Sequence, residues 1–343
     1  MDSGIESSNT NLYNRIHPTL NRSFLTGATT GVSGGLSDAC YKPLLDMYGH
    51  GTPIAGIIGA NGTGMIGVNW NVTLVSLQVL AYNHNGYNNC EGKWDQVINA
   101  INYATSYGIP ILNASVGDRG IPPNNSALKT AIGNYPGLYV SAAGNHGNNI
   151  TTTPYYPADY NLPNMITVGG WNPTNNAPYS HSNYSSTKVH LFAPGENIFS
   201  TEGATYYGLQ TGTSFAAPFV AGVAALMRSQ SMYLDAFSIK NIISRNVTHV
   251  TALNNFCVSK GLLNAYEAVR FTDQTFIPCA YGCTVNEQTC AANCPNTCSQ
   301  EAINMGCNPA IPWCWDWMVT CISECEQDCT NTYGTSCYRG CSY

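Results

Sequence analysis

The chain has 343 residues, of which 44% are hydrophobic and only 9% are charged. This length suits one large domain with an accessory segment or two ordinary domains, and the apolar fraction is sufficient for a buried core. The formal net charge of -6, without any basic run, argues against nucleic acid as a partner. We predict no membrane span, because the longest apolar stretch, 215–227, is shorter than ~18 residues and contains Pro218 and Gly222.

Before residue 272, short apolar runs alternate with amphipathic stretches, which is typical of a parallel sheet covered by helices. Apolar residues at helical spacing predict a helix over 93–107. A further apolar helix is predicted to begin near Ser214, with Pro218 in its first turn. The predicted strands are 72–80, 111–116, 138–143 and 165–169.

From residue 273 the composition changes to Cys, Asn, Thr and Pro, so we predict two domains, 1–272 and 273–343. The cysteine spacing in the second is nearly palindromic about a centre between Cys307 and Cys314. This favours a small disulfide-rich helical hairpin with nested pairs, although spacing alone leaves the connectivity open. The example pairs are Cys298 with Cys321, Cys294 with Cys325, and Cys290 with Cys329. Zinc binding is the weaker interpretation, because CxxC knuckles and ordered His partners are lacking.

The chain has 15 cysteines, more than we expect as free thiols in a protein of a reducing compartment. We therefore predict that they form disulfides and that the protein is secreted. Eight Asn-x-Ser/Thr sequons agree with that route, and they begin at Asn21, Asn61, Asn71, Asn113, Asn124, Asn149, Asn183 and Asn246. Residues 1–4 do not resemble a signal peptide, and we expect the natural chain to continue upstream of Met1. Cys40 and Cys90 lie in polar loops and could pair, which would leave Cys257 without a partner in the first domain.

Three separated segments contain residues that make joint sense as nucleophilic catalysis: Asp2-Ser3-Gly4-Ile5, His50-Gly51-Thr52-Pro53-Ile54-Ala55-Gly56, and Gly212-Thr213-Ser214-Phe215-Ala216-Ala217-Pro218. A serine hydroxyl is a poor nucleophile near neutral pH and needs a base within hydrogen-bond reach. In this order, Asp before His before Ser, the three segments resemble those of the subtilisin family of serine proteases.

The resemblance covers about residues 2–272 and implies a three-layer α/β fold with a mainly parallel central sheet covered by helices. It further implies a serine endopeptidase that hydrolyses polypeptides through an acyl-enzyme. Ser214 would be the nucleophile, His50 the general base and then acid, and Asp2 the group that orients the imidazole. Catalysis would require no cofactor. Structural calcium is frequent in the family, and its ligands here are not evident from the sequence.

Further segments match the family in order. Ser141-Ala142-Ala143-Gly144-Asn145 resembles its oxyanion segment, which makes Asn145 the candidate oxyanion donor. Asn113-Ala114-Ser115-Val116-Gly117 resembles the strand that pairs with extended substrate, so the Asn113 sequon should be buried and unglycosylated. The resemblance thus implies substrate-binding residues that flank the S1 pocket: Ser115, Val116, Gly117, Ala142, Ala143 and Gly144. Tyr155, near the expected pocket floor, would make S1 shallow, and we expect apolar P1 residues.

Two departures from the family stand out. Pro53 replaces its usual second histidine, and only Met1 precedes Asp2, where the family has a central strand. Pro53 spares the catalytic position, whereas the missing strand favours the alternative function. That alternative is a catalytically silent fold that acts as a binding or surface protein, with a surface partner for its cysteine-rich tail. A sedolisin-like acid peptidase is a weaker alternative, since its base is a glutamate and its oxyanion group an aspartate. His50 and Asn145 stand at those positions here.

Overall fold

The computed structural model describes residues 1–25, 46, 49–83, 89–119, 126–232 and 234–275. The chain divides into two units, Met1–Phe271 and Thr272–Tyr343, and the description below concerns the first. The predicted disulfide hairpin in 273–343 and the side chains of Cys40 and Cys90 lie outside the described residues.

In chain order the strands and helices are β1 (Arg22–Ser23), α1 (Gly51–Gly59), β2 (Leu77–Gln78), β3 (Ala81–Asn83), β4 (Asn89–Glu91), α2 (Trp94–Ser106), β5 (Ile111–Ala114), α3 (Ser126–Asn134), β6 (Leu138–Ala142), β7 (Met165–Asn172), β8 (Ala177–Pro178), β9 (Leu191–Pro194), β10 (Ile198–Glu202), β11 (Tyr206–Gln210), α4 (Thr213–Gln230), α5 (Ala236–Arg245), β12 (Thr248–His249), β13 (Gly261–Leu262) and α6 (Ala265–Thr275). Short 3-10 turns span Ala158–Tyr160 and Thr251–Leu253.

The central sheet has seven strands in the order β12-β13-β9-β7-β6-β5, with β8 added beside β7. Strands β5, β6, β7, β9 and β13 run parallel, whereas β8 and β12 are antiparallel. Three two-stranded pairs, β1–β2, β3–β4 and β10–β11, form separate sheets. The predicted α/β class with a mainly parallel sheet is confirmed.

Side chains of β6 alternate between two cores, as the geometry of a strand requires. Leu138 and Val140 pack in the core that contains α4 and α5, whereas Tyr139 packs in the core that contains α2 and α3. Helices therefore cover both faces of the sheet, and the predicted three-layer arrangement is confirmed. Among the helices in the described parts of the chain, none combines the length and apolar character needed to cross a bilayer.

Most predicted elements agree with the structure, and two need correction. The predicted strand over 72–80 is ordered as a ladder only at Leu77–Gln78, because the neighbouring contacts are single bridges such as Ile16 with Leu74. Helix α4 begins at Thr213, so Pro218 is its sixth residue and lies in the second turn rather than the first. Because proline has no amide hydrogen, Pro218 cannot donate a helical hydrogen bond to the carbonyl of Ser214.

Candidate active site

Backbone pairing with β2 sets the position of Asp2. The Asp2 N–H donates to Leu77 O at 3.0 Å, and the Val79 N–H donates to Asp2 O at 2.8 Å. The Asp2 carboxylate is buried, and its Oδ1 lies 2.7 Å from Nδ1 of His50 and 2.7 Å from the Ser3 amide nitrogen. The carboxylate thereby engages Nδ1 of His50, so that Nε2 is the ring nitrogen directed away from Asp2.

The ion pair between Asp2 and His50 shifts the pKa values of both groups. Burial alone would lower the pKa of His50, but the charge and hydrogen bond of Asp2, with a further contribution from Asp46, raise it. Burial alone would raise the pKa of Asp2, but the charge and hydrogen bond of His50 lower it. The contact therefore favours the charged form of each partner.

Asp46 holds the beginning of α1, although His50, at the N-cap, provides no side-chain cap. Its Oδ1 accepts the N–H groups of Gly49 and His50 at 2.8 and 3.2 Å, and its Oδ2 accepts that of Thr52 at 2.6 Å. The Ser3 hydroxyl donates to Asp46 Oδ1 at 2.6 Å and accepts the N–H of Gly51 at 3.0 Å. One carboxylate thus joins the Asp2 turn to the histidine helix, as a capping group does.

Close approach explains the glycine after His50. A Cβ atom at Gly51 would overlap the carbonyl oxygen of Gly4. The first turn of α1 therefore packs directly on the backbone of the Asp2-Ser3-Gly4 turn, which brings the imidazole to the carboxylate.

At the beginning of α4, Thr213 links the helix to the segment after β6. The Gly144 N–H donates to Thr213 Oγ1 at 3.0 Å, and Thr213 Oγ1 donates to Asn145 Oδ1 at 3.0 Å. The Thr213 N–H also donates to Asn145 Oδ1, at 2.8 Å. Because a backbone N–H can only donate, this bond identifies the amide oxygen of Asn145 and leaves its NH₂ group as a donor elsewhere.

The backbone at Gly212 requires glycine. Its φ of +145° is one that residues with a Cβ rarely adopt, and a Cβ atom there would lie 3.2 Å from Asn145 Nδ2. The NH₂ group of Asn145 is therefore beside the turn that presents Ser214, the half-buried second residue of α4.

Pro218 and Ser115 together determine the environment of the Ser214 carbonyl. In a regular helix this oxygen would accept the N–H of residue 218, which proline lacks. The Ser115 hydroxyl donates to Ser214 O at 2.8 Å instead. A residue predicted to bind substrate thus also supports the backbone of the candidate nucleophile.

The predicted site residues converge from four parts of the chain. Asp2 contacts His50 directly, and the ring of His50 lies 5.4 Å, centroid to centroid, from that of Phe215, the neighbour of Ser214. Asn145 is bonded to Thr213, the preceding neighbour of Ser214.

The predicted substrate-binding residues follow adjacent strands. Ser115, Val116 and Gly117 continue from β5, while Ala142, Ala143 and Gly144 end and follow β6, its parallel neighbour. Parallel strands direct their carboxyl ends to one edge of the sheet, which is where such folds bind ligands. Asn113 is 8% exposed, so the predicted burial of its sequon is confirmed.

Asp46 was not predicted to belong to the site, and Ser3 and Thr213 lie in the predicted segments without a predicted role. An acidic residue just before the histidine helix was the available signal for Asp46, whereas the role of Ser3 depends on a contact 43 residues away. Within the described ranges, no group of three or more His, Cys, Asp and Glu side chains is arranged to hold a metal ion. Calcium binding through loop carbonyls stays a prediction.

Residues 1–265 match the family model described as the subtilase family. Subtilisin-like protease 2 of Plasmodium falciparum is 33% identical over 237 residues, which cover 66% of this chain and 17% of that protein. Thermitase of Thermoactinomyces vulgaris is 36% identical over 229 residues, which cover 65% of this chain and 75% of that protein. This chain therefore spans a small part of the Plasmodium relative and most of the bacterial one.

Two further similarities extend over more of the chain. Subtilisin DY of Bacillus licheniformis is 32% identical over 278 residues, which cover 79% of this chain and 89% of that protein. The crystal structure of a cold adapted subtilisin-like serine proteinase is similar with a TM-score of 0.57 and 26% identity. That alignment covers 77% of this chain and 84% of the other.

We predict that Ser115→Ala destabilises the protein by about 1–3 kcal/mol, because the Ser214 carbonyl loses its donor and Pro218 cannot replace it. Thermal unfolding of both proteins would measure the difference. Ser141→Ala is the matched control, since that buried hydroxyl makes a longer bond, 3.3 Å, to the carbonyl of Ala142. Equal melting temperatures for the Ser115 and Ser141 variants would contradict the assigned role.

Proposed function

Because the chain belongs to the subtilase family, we propose that it is a secreted serine endopeptidase that hydrolyses polypeptides through an acyl-enzyme. The observation that carries the proposal is the 2.7 Å contact of Asp2 with His50, made beside the first turn of the helix that presents Ser214. A buried carboxylate on one imidazole nitrogen leaves the other nitrogen to act as a base.

In the proposed reaction, His50 accepts the proton of Ser214 Oγ as this oxygen attacks the scissile carbonyl. The imidazolium is stabilised by Asp2 and then donates the proton to the leaving amine. Water, activated by the same imidazole, hydrolyses the acyl-enzyme in the second half of the reaction. No cofactor takes part in these steps.

Two donors are proposed for the oxyanion. The backbone N–H of Ser214 lies in the first turn of α4, where helical N–H groups have no intrahelical acceptor and the helix dipole is positive. The second donor is the NH₂ group of Asn145, whose amide oxygen is already engaged by Thr213. Fixed donors of this kind stabilise the charge that develops in the transition state.

Secretion and glycosylation are part of the same proposal. Support comes from the cysteine content and from two sequons on exposed asparagines, Asn61 and Asn71. Asn113 and Asn183 are buried at 8% and 1% exposure, so we propose that these two stay unmodified.

A fluorophosphonate probe tests the nucleophile. We predict that the full chain is labelled and that Ser214→Ala and His50→Ala abolish labelling, because one removes the attacking oxygen and the other its base. Ser180 and His181 provide matched controls, since this exposed pair has a 3.1 Å contact between Ser Oγ and His Nδ1. Ser180→Ala and His181→Ala should be labelled like the wild type.

The labelling experiment also distinguishes the endopeptidase from the alternative, a catalytically silent fold. A folded wild-type chain that resists the probe would refute the endopeptidase and favour the catalytically silent fold. Labelling that survives Ser214→Ala would refute Ser214 as the nucleophile.

We predict that Asn145→Ala lowers kcat by about 10²–10³, the loss measured in subtilisin for its own oxyanion asparagine. Asn145→Asp separates the two roles of this side chain, because a carboxylate still accepts the Thr213 N–H but cannot donate to the oxyanion. Steady-state kinetics on a peptide substrate should show a comparable loss in both variants. Retained activity in Asn145→Asp would mean that anchoring Thr213 is the only role.

The acidic limb of the profile of kcat/KM against pH should report the pKa of His50. A base must be neutral, so kcat/KM rises as pH passes through its pKa, which the carboxylates hold above the ordinary value of 6.5. Asp46→Asn removes one of the charges that raise this pKa while keeping an oxygen for capping, so the limb should move to lower pH. Asp235→Asn is the control, because this residue caps α5 in the same manner, through the Ser238 N–H at 2.7 Å. A limb unchanged by Asp46→Asn would contradict the assigned charge effect.

A further inference from the structure

P1 specificity rests on the proposed function and on the predicted substrate-binding residues. Segments 115–117 and 142–144 lie at the carboxyl ends of the adjacent parallel strands β5 and β6, and we take the slot between them as S1. The two walls of this slot end at Gly117 and Gly144.

The ring of Tyr155 stands between these two walls. A Cβ atom added at Gly117 would overlap Tyr155 Cε1, and one added at Gly144 would lie 2.8 Å from the same atom. The ring therefore contacts both glycines and occupies the space that a side chain at either position would fill. The phenol therefore occupies space into which a large P1 side chain would extend.

Backbone hydrogen bonds on both sides of Tyr155 hold the ring in place. The next residue, Tyr156, exchanges two bonds of 2.9 Å with Asp118, directly after Gly117, and the Asp159 N–H donates to Tyr155 O at 2.9 Å. The side chain also packs against the core that includes Ala143 and Ile150. Rotation of the ring out of the slot would break this packing.

The charged residues nearest the ring, Asp118 and Arg119, are exposed rather than buried beside it. Burial, with a smaller effect of Asp118, raises the pKa of Tyr155 to about 12, so the phenol is uncharged at physiological pH. His146, exposed at the next position after Asn145, lies 5.6 Å from the Tyr155 ring, and its pKa is lowered by burial and by Arg119. A buried carboxylate that would favour Lys or Arg is absent from these described neighbours.

We propose that Tyr155 is a specificity-determining residue that fills the floor of the S1 slot and restricts P1 to glycine, alanine and serine. The expected P1 residues are therefore small residues rather than apolar residues in general, since leucine and phenylalanine are excluded by size. One methylene in an apolar pocket is worth roughly 10–200-fold in kcat/KM, so a phenyl group that cannot enter should lose at least that much.

The test uses the full chain and two peptides that differ only at P1, alanine or phenylalanine. We expect the wild type to cleave the alanine peptide at least ~10-fold faster in kcat/KM. Tyr155→Gly should raise the ratio of kcat/KM for the phenylalanine peptide to that for the alanine peptide by more than ~10-fold, because only the larger side chain gains space. Tyr155→Phe keeps the ring and should keep the wild-type ratio.

Labelling by the fluorophosphonate probe distinguishes failure of the Tyr155 proposal from failure of the proposed function. Wild type that is labelled by the fluorophosphonate probe but cleaves both peptides equally would refute the role of Tyr155 alone. The wild-type ratio decides this even if Tyr155→Gly fails to fold. An unchanged ratio in a folded, labelled Tyr155→Gly would also refute it. Wild type without labelling would refute the proposed function and, with it, this inference.

Discussion

The attachment of the first turn of α4 to the carboxyl ends of β5 and β6 is the constraint on which the site depends. Thr213 is bonded to Gly144 and Asn145, and Ser115 is bonded to the carbonyl of Ser214. These contacts join one helix to two adjacent parallel strands at a single edge of the sheet. The residues proposed for nucleophilic attack, charge stabilisation and substrate binding therefore share one rigid support.

The acid–base part of the site is held by a second, separate set of contacts. Asp2 is positioned by pairing with β2, and His50 by the start of α1. Ser3 and Asp46 connect these two segments through side-chain and backbone bonds, and Gly51 permits their close approach. The imidazole is thus oriented by buried polar groups rather than by packing alone, which makes its position sensitive to single substitutions.

Local patterns predicted most of the helices and strands, because helical spacing and short apolar runs are contiguous in sequence. The segments around Asp2, His50 and Ser214 could be proposed as a site for the same reason. Contacts across long separations were not predictable. Asp46 is an ordinary loop aspartate until Ser3 is brought beside it. The second role of Ser115 depends on a contact with Ser214, 99 residues away, whose carbonyl lacks the N–H of residue 218 because that residue is proline. The strand over 72–80 was overextended because apolar character alone does not specify how many residues find a pairing partner.

The contact between Asp2 and His50 has opposite consequences for folding and for the proposed catalysis. The raised pKa of His50 stabilises the fold below the ordinary imidazole value of 6.5, and this contribution is lost as pH rises through the folded pKa. The lowered pKa of Asp2 stabilises the fold above the ordinary carboxyl value of 3.8 and is lost as pH falls through the folded pKa. Both contributions coincide in mild acid, where the imidazole is protonated and cannot accept a proton from serine. In the proposed peptidase, this contact therefore contributes most to stability at a pH where His50 cannot act as a base, so mildly acidic storage would limit autolysis.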